Sequence, residues 1–112
     1  MTSRLPHRDR AILDIRKIED YCLNPSHPRG RHKARVFREA LDLQRSDAAW
    51  FRDALLEAAR SGEAFQLASD AWGIHWRLDA TIRRQGKRAV VRTIWIVRAG
   101  ETLPRLVTCW VL

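Results

Sequence analysis

The sequence predicts an α+β domain: about three N-terminal helices packed on one face of a C-terminal antiparallel meander of three to four strands. Two observations carry this. Apolar residues recur at helical spacing as far as Gly62, then alternate strictly with polar ones from Ile74 to Ile82. Gln85-Gly86 then separates two apolar runs by two residues, the spacing of a tight hairpin. Helices followed by strands give an α+β layering. A chain of 112 residues builds one core, so residues 1–112 are read as one domain.

The first ten residues, MTSRLPHRDR, are polar and expected to fray. Ile12 to Leu23 reads as a first helix, with Ile12, Ile15, Ile18 and Cys22 on one stripe. Asn24-Pro25 ends it, because a residue before proline is pushed out of the α region. Pro25, Pro28 and Gly30 hold the chain out of a helix until RHKARVFREAL begins a second one, with Ala34, Phe37, Ala40 and Leu41 inward. Ser46 is the expected N-cap of a third helix, and Asp47 suits its first turn. Phe51, Ala54, Leu55 and Ala58 form its stripe, and Gly62 stops it. A short strand at Ala64 to Ala68 precedes the alternating strand. Ala89 to Arg98, apolar on both faces, reads as a central strand. A turn at Gly100-Glu101 leads to a last strand, Leu106 to Leu112.

A two-residue hairpin loop fixes the register: Trp76 faces Trp95, Leu78 faces Thr93, and Asp79 faces Arg92. An even-length second loop puts Leu106, Thr108, Trp110 and Leu112 on the face of Trp95. The helices are expected to cover that face, making Trp76, Trp95 and Trp110 core. The other face carries His75, Arg77, Asp79, Arg83, Arg92 and Arg105 among Ile94, Ile96 and Val107, a surface suited to a strand of nucleic acid.

Charge points the same way. Lys and Arg number 21 against 13 acidic residues, a formal net charge of +8, and arginine supplies most of the excess. Guanidinium groups make bidentate phosphate contacts and stack on bases, so a polyanion such as RNA is the expected partner. No apolar run is long enough to cross a bilayer, and no apolar h-region follows the basic start. Cys22 and Cys109 are too few for a disulfide framework, which predicts a reduced, cytoplasmic setting. The chain has no glycine-rich phosphate loop, nucleophile elbow or acidic cluster for magnesium. Cys22, His27 and His32 have no zinc spacing. No metal or cofactor is expected.

The densest basic stretch is LNPSHPRGRHKARVF, where Arg29, Arg31, His32, Lys33 and Arg35 crowd the start of the second helix. Its first amides lack intrahelical partners and its dipole favours an anion, so these residues are candidate phosphate ligands. His32 and His75 are the candidate proton carriers, with Lys33, Arg77 and Arg92 the phosphate clamps of a metal-free RNA cleavage. Asp79 opposite Arg92 also reads as a cross-strand ion pair that would neutralise that clamp. Thr93 and Thr108 read either as cross-strand hydroxyl partners or as phosphate hydrogen-bonders.

The string LNPSHPRGRHKARVF, with VVRTIWIVRAGETLPRLVTCWVL at the C-terminus, resembles a small bacterial domain-of-unknown-function family numbered 6883. The matching positions are Tyr21, Leu23, Asn24, Pro25, Gly30, Lys33, Ala34, Phe37, Trp95, Pro104, Leu106, Val107 and Thr108, and they span nearly the whole chain. That family is similar to compact ribonuclease toxins of the barnase, EndoU, colicin and RelE type, which pack N-terminal helices on an antiparallel sheet and cleave RNA without metal. The resemblance implies His32 or Lys33, and Thr108, as site positions. The inferred register puts Thr108 on the helix side. Either the site lies at the sheet edge near the second helix, or Thr108 is structural.

The leading expectation is therefore a ribonuclease toxin-like protein neutralised by an acidic antitoxin or immunity-like partner. A non-catalytic nucleic-acid-binding module, or an interaction or inhibitor protein with a basic face, are the alternatives. The C-terminal strand is also expected to offer an edge for a homodimer.

Overall fold

A computed structural model describes residues 3–112. The first helix begins later than the apolar stripe suggests. The Asp14 carboxylate accepts the Arg16 N–H at 3.0 Å, capping a single α turn, α1 (Ile15–Lys17), that continues as a π-helical segment, Ile18–Cys22. Ile12 is instead extended and bridges Arg105 in parallel: its N–H donates to Pro104 O at 2.8 Å and its carbonyl accepts from Leu106 N at 3.0 Å. The segment expected to fray is also tied down. Leu5, 1% exposed, enters the core, and Ser3 O accepts from Ala64 N at 3.0 Å. Met1 and Thr2 lie outside the described residues.

α2 (Arg31–Leu41) and α3 (Ala48–Ser61) follow. A 3-10 turn, Arg45–Asp47, leads into α3, and the Asp47 carboxylate accepts the Gln44 N–H at 2.8 Å. That contact is half of a capping box that closes the 3-10 turn, so α3 starts at Ala48 without the side-chain cap expected of Ser46. The second partner of the Asp47 carboxylate is Arg84, 3.0 Å away, whose guanidinium also donates to Asp42 O at 2.9 Å and lies over the Trp50 ring.

The sheet is the predicted meander. β1 (Ala64–Asp70), β2 (Gly73–Arg84), β3 (Lys87–Arg98) and β4 (Arg105–Val111) pair antiparallel in chain order. Gln85-Gly86 is the whole hairpin loop, and Trp76, Leu78 and Asp79 face Trp95, Thr93 and Arg92 as the spacing requires. β1 covers β2 only from Gly73 to Leu78, so the outer side of β2 beyond that is an open edge.

The register changes within the β3–β4 pair. Trp95 faces Leu106 but Ile94 faces Thr108, so Val107 is an extra residue in β4. Side chains alternate with period two, and one inserted residue inverts every position beyond it. Cys109 and Val111, rather than Thr108 and Trp110, therefore lie on the helix side. Thr108 and Trp110 face the opposite, basic surface. Trp110 is consequently not core, and Trp76 is only half-buried; Trp95 alone of the three is enclosed.

Trp95 packs in a core with Phe37 and Phe51, whose rings meet edge-on at 5.0 Å, and with Leu41, Leu55, Leu78 and Leu106. Thr93 is the one buried polar side chain among the described residues. Its hydroxyl donates to Leu78 O at 2.6 Å and accepts from Trp95 Nε1 at 2.8 Å, a structural role rather than a phosphate contact. Cys22 and Cys109, both buried, hold their sulfurs 3.8 Å apart. The hydrogen bond they share, with help from Lys33, holds the Cys22 thiol below its ordinary value; the same bond and burial push the Cys109 thiol up. The outer edge of β4, expected to be free for a second copy, is occupied along its first half. Ile12 pairs there, and Lys17 Nζ donates to Val107 O at 3.2 Å.

Candidate active site

The start of α2 is built by a turn. Asn24 Oδ1 accepts from Ser26 N, and His27 Nδ1 accepts from both Arg29 N and Gly30 N, each at 3.0 Å. A nitrogen that accepts carries no proton, so the His27 ring is protonated at Nε2 alone in this arrangement. Its edge meets the Tyr21 ring at 4.8 Å. A Cβ at Gly30 would collide with the Tyr21 carbonyl, so only glycine allows α2 to start this close to the π-helical segment. The two amides just before α2 are thus taken by an imidazole of the same turn, and its first helical amide, Arg31 N, donates to His27 O at 3.0 Å.

Lys33 leaves this turn toward the edge of β4. Its ammonium donates to Thr108 Oγ1 at 2.6 Å and lies 5.1 Å from the Tyr21 ring centroid and 5.5 Å from that of Trp110. Aromatic faces are negative and attract the cation without neutralising it. Among the described residues no carboxylate pairs with Lys33. The bulge at Val107 makes this contact, because it turns Thr108 onto the surface away from the helices while Lys33 reaches around the edge.

Three transverse rows then define the basic face. Arg77, Ile94 and Thr108 lie side by side; Asp79, Arg92 and Trp110 form the row on one side, and His75, Ile96 and Arg105 the row on the other. Arg77 stacks over the Phe65 ring at 4.9 Å, and its Nε is buried without a hydrogen-bond partner. A buried donor left unpaired is costly, and a bound oxygen would satisfy it. Arg92 is engaged. Its Nε and Nη2 grip the two oxygens of Asp79 at 2.9 Å, and these hydrogen bonds hold the Asp79 carboxyl below the usual carboxylate range against the opposing effect of burial. Arg105 is partly engaged, 3.0 Å from Glu101. His75 Nδ1 lies 3.9 Å from Asp70 Oδ2, near enough to be steered but too far for a hydrogen bond.

The sequence-predicted residues therefore divide. Lys33, Thr108, Arg77, Arg92, His75 and Arg105 share one surface and the edge beside it. His32, Arg29 and Arg31 stand exposed at the start of α2, with no side-chain hydrogen bond or ion pair among the described residues. Arg35 lines a separate groove of about 410 Å³ with Asn24, Pro25 and Arg38. Tyr21, Trp110 and Phe65, which frame Lys33 and Arg77, were not expected there. The tyrosine and lysine are both among the positions that the resemblance marks, but nothing in the sequence pairs them with Trp110. No three His, Cys, Asp or Glu side chains among the described residues converge as a metal site would require, and no described helix is long and apolar enough to cross a membrane.

The sequence signature of a family described as a domain of unknown function, DUF6883, matches residues 4–112. Comparison with curated proteins found no match. Among solved structures, the chain is similar to one titled "Contact-dependent growth inhibition toxin - immunity protein complex from Klebsiella pneumoniae 342". The TM-score is 0.63 at 12% identity, covering 93% of this chain and 95% of that one, a likeness of fold.

Proposed function

Taking the chain as a member of DUF6883, the domain family to which it belongs over residues 4–112, we propose that it is a toxin-like ribonuclease working at the Lys33–Thr108 corner of its sheet. The observation that carries this reading is an ammonium fixed by a 2.6 Å hydrogen bond to a hydroxyl and by two aromatic rings, with no carboxylate to cancel it. An orphaned Arg77 Nε in the same row as Thr108 supports it. So does likeness in fold to a toxin–immunity complex.

In the proposed reaction the RNA 2′-oxygen bonds to the adjacent phosphorus and the P–O5′ bond breaks. A base takes the 2′-hydroxyl proton, and an acid protonates the departing O5′. Lys33 and Arg77 meet the charge on the non-bridging oxygens, so charge compensation needs no metal ion. Thr108 aims the lysine. His75, on the same face, and His32, beside Lys33 on the exposed side of α2, are the proton carriers. Arg29 and Arg31 attract the strand, while Arg92 serves mainly to hold Asp79. An acidic immunity-like protein covering this face is the neutralising partner.

Incubation with total RNA tests the reading. Wild-type protein is expected to cleave, with Lys33→Met reducing the rate by about 10²–10³-fold, the usual effect of removing one charge-stabilising donor. Absence of cleavage by wild type, or an unchanged rate in a folded Lys33→Met, overturns it. A second reading, an interaction module, draws on the open outer edge of β2 beyond Leu78, beside Trp50, where a partner's strand could add. Stable co-purification with an acidic protein, without RNA affinity, selects it.

A further inference from the structure

The basic face ends in a cleft of about 410 Å³, within the range of small-molecule sites, and of its lining residues the proposed reaction uses only His75. Its floor is the row of His75, Ile96 and Arg105. Its rim at the β1–β2 turn is Trp72, 77% exposed.

An indole this exposed contributes little to the core, yet its backbone is firmly placed. Asp70 Oδ1 accepts from Trp72 N at 2.8 Å and from Gly73 N at 3.2 Å, while Trp72 O accepts from Ala99 N at 3.0 Å. Gly73 has φ +149°, and a Cβ there would collide with the Val97 carbonyl, so the close turn requires glycine. Asp70 also faces His75, which couples the turn that carries the indole to the imidazole. Arg98 borders the same cleft and, among the described residues, has no side-chain hydrogen bond or ion pair. An exposed aromatic on a fixed backbone, beside a free guanidinium, is the combination that binds an unpaired base and its phosphate.

Spacing links the cleft to the proposed chemistry. Along β2, the His75 row is two residues from the Arg77–Ile94–Thr108 row, about 7 Å. That separation is on the order of one nucleotide of an extended single strand. We propose, resting on the ribonuclease reading, that the cleft is a nucleobase subsite: the base next to the scissile phosphate stacks on Trp72, and Arg98 holds the phosphate beyond it. An unpaired base is required, so the substrate class is single-stranded RNA or a loop.

The test uses a single-stranded 2′-O-methyl hexanucleotide, which cannot be cleaved because its nucleophile is blocked. Trp72→Ala is expected to weaken its binding by about 10- to 100-fold, as loss of one base–aromatic stack does, while Trp72→Phe keeps most of the affinity. A duplex of the same sequence is expected to show no such dependence. Trp72→Ala binding like wild type overturns the subsite; if wild type still cleaves total RNA, the ribonuclease reading stands alone. A Trp72-dependent hexanucleotide affinity without any cleavage has the opposite meaning: the subsite stands and the catalytic reading falls. Failure of wild type to bind the hexanucleotide overturns the subsite whatever the cleavage result.

Discussion

Replacing Thr93 with valine keeps the shape of the side chain and removes the hydroxyl that joins Leu78 O to the Trp95 indole. The bond to Leu78 O is worth about 1 kcal/mol net. The larger loss is the indole N–H, stranded in a fully enclosed site, which costs about 1–3 kcal/mol. Together these give a destabilisation of about 2–4 kcal/mol. A chain of 112 residues has an unfolding entropy of about 235 cal/mol/K at midpoint, so each kcal/mol moves Tm by about 4 °C. Thr93→Val is therefore expected to lower Tm by about 8–16 °C in calorimetry. A double-mutant cycle isolates the stranded donor. In a Trp95→Phe background there is no indole N–H to orphan, so Thr93→Val should cost about 1–3 kcal/mol less than in wild type. Costs that add within about 0.5 kcal/mol would refute the reasoning.

Asp79→Asn releases Arg92 and adds one net positive charge, so the salt dependence of single-strand binding should steepen by about 0.7 in log–log slope; an unchanged slope counts against a role for the basic face. The same substitution should flatten the acid side of the stability profile. Asp79 has a depressed carboxyl pKa, so its share of stability is present above the ordinary carboxylate range and lost as pH falls below it. Glutathione disulfide is expected to join Cys22 to Cys109. The two thiols give up two protons and two electrons, the protein loses two hydrogens by mass spectrometry, and Tm rises; two titratable thiols after prolonged exposure would exclude the link. Gly73→Ala should destabilise by about 1–3 kcal/mol through its strained φ, read by denaturant titration, and a neutral result would show that the turn relaxes.

Much of the fold was legible because local rules and global packing agree along most of the chain. The β2–β3 register follows from a two-residue loop between alternating runs, which leaves no freedom to slip. The β4 register was not legible. LVTCWVL is apolar in both parities, so the pattern cannot reveal one added residue at Val107, and Thr108 was consequently assigned to the wrong face. Helix boundaries failed where side chains acted on backbone: the Asp14 carboxylate caps a later first start than the stripe suggests, and the Gln44–Asp47 capping box inserts a 3-10 turn ahead of α3 where a hydroxyl cap was expected. At the candidate site, charge and spacing pointed to Lys33 and the arginines but not to the contacts they make. Arg92 is quenched by its cross-strand neighbour, as one of the two readings allowed, while Lys33 is framed by aromatics from two distant segments. His27, considered only as a metal ligand, serves as a backbone acceptor, a role that depends on a turn geometry that no spacing rule encodes.

The extra residue in β4 divides that strand into two halves that answer to different neighbours. Before it, parity is set by the hairpin end; after it, parity is set by the sulfur pair beneath and the lysine outside. Relatives that lack or move the insertion would present a different side chain to the ammonium while keeping an almost unchanged string of letters. Aligning this stretch letter by letter would then equate Thr108 with an inward residue, and the lysine's hydroxyl partner would vanish from view through a shift of one.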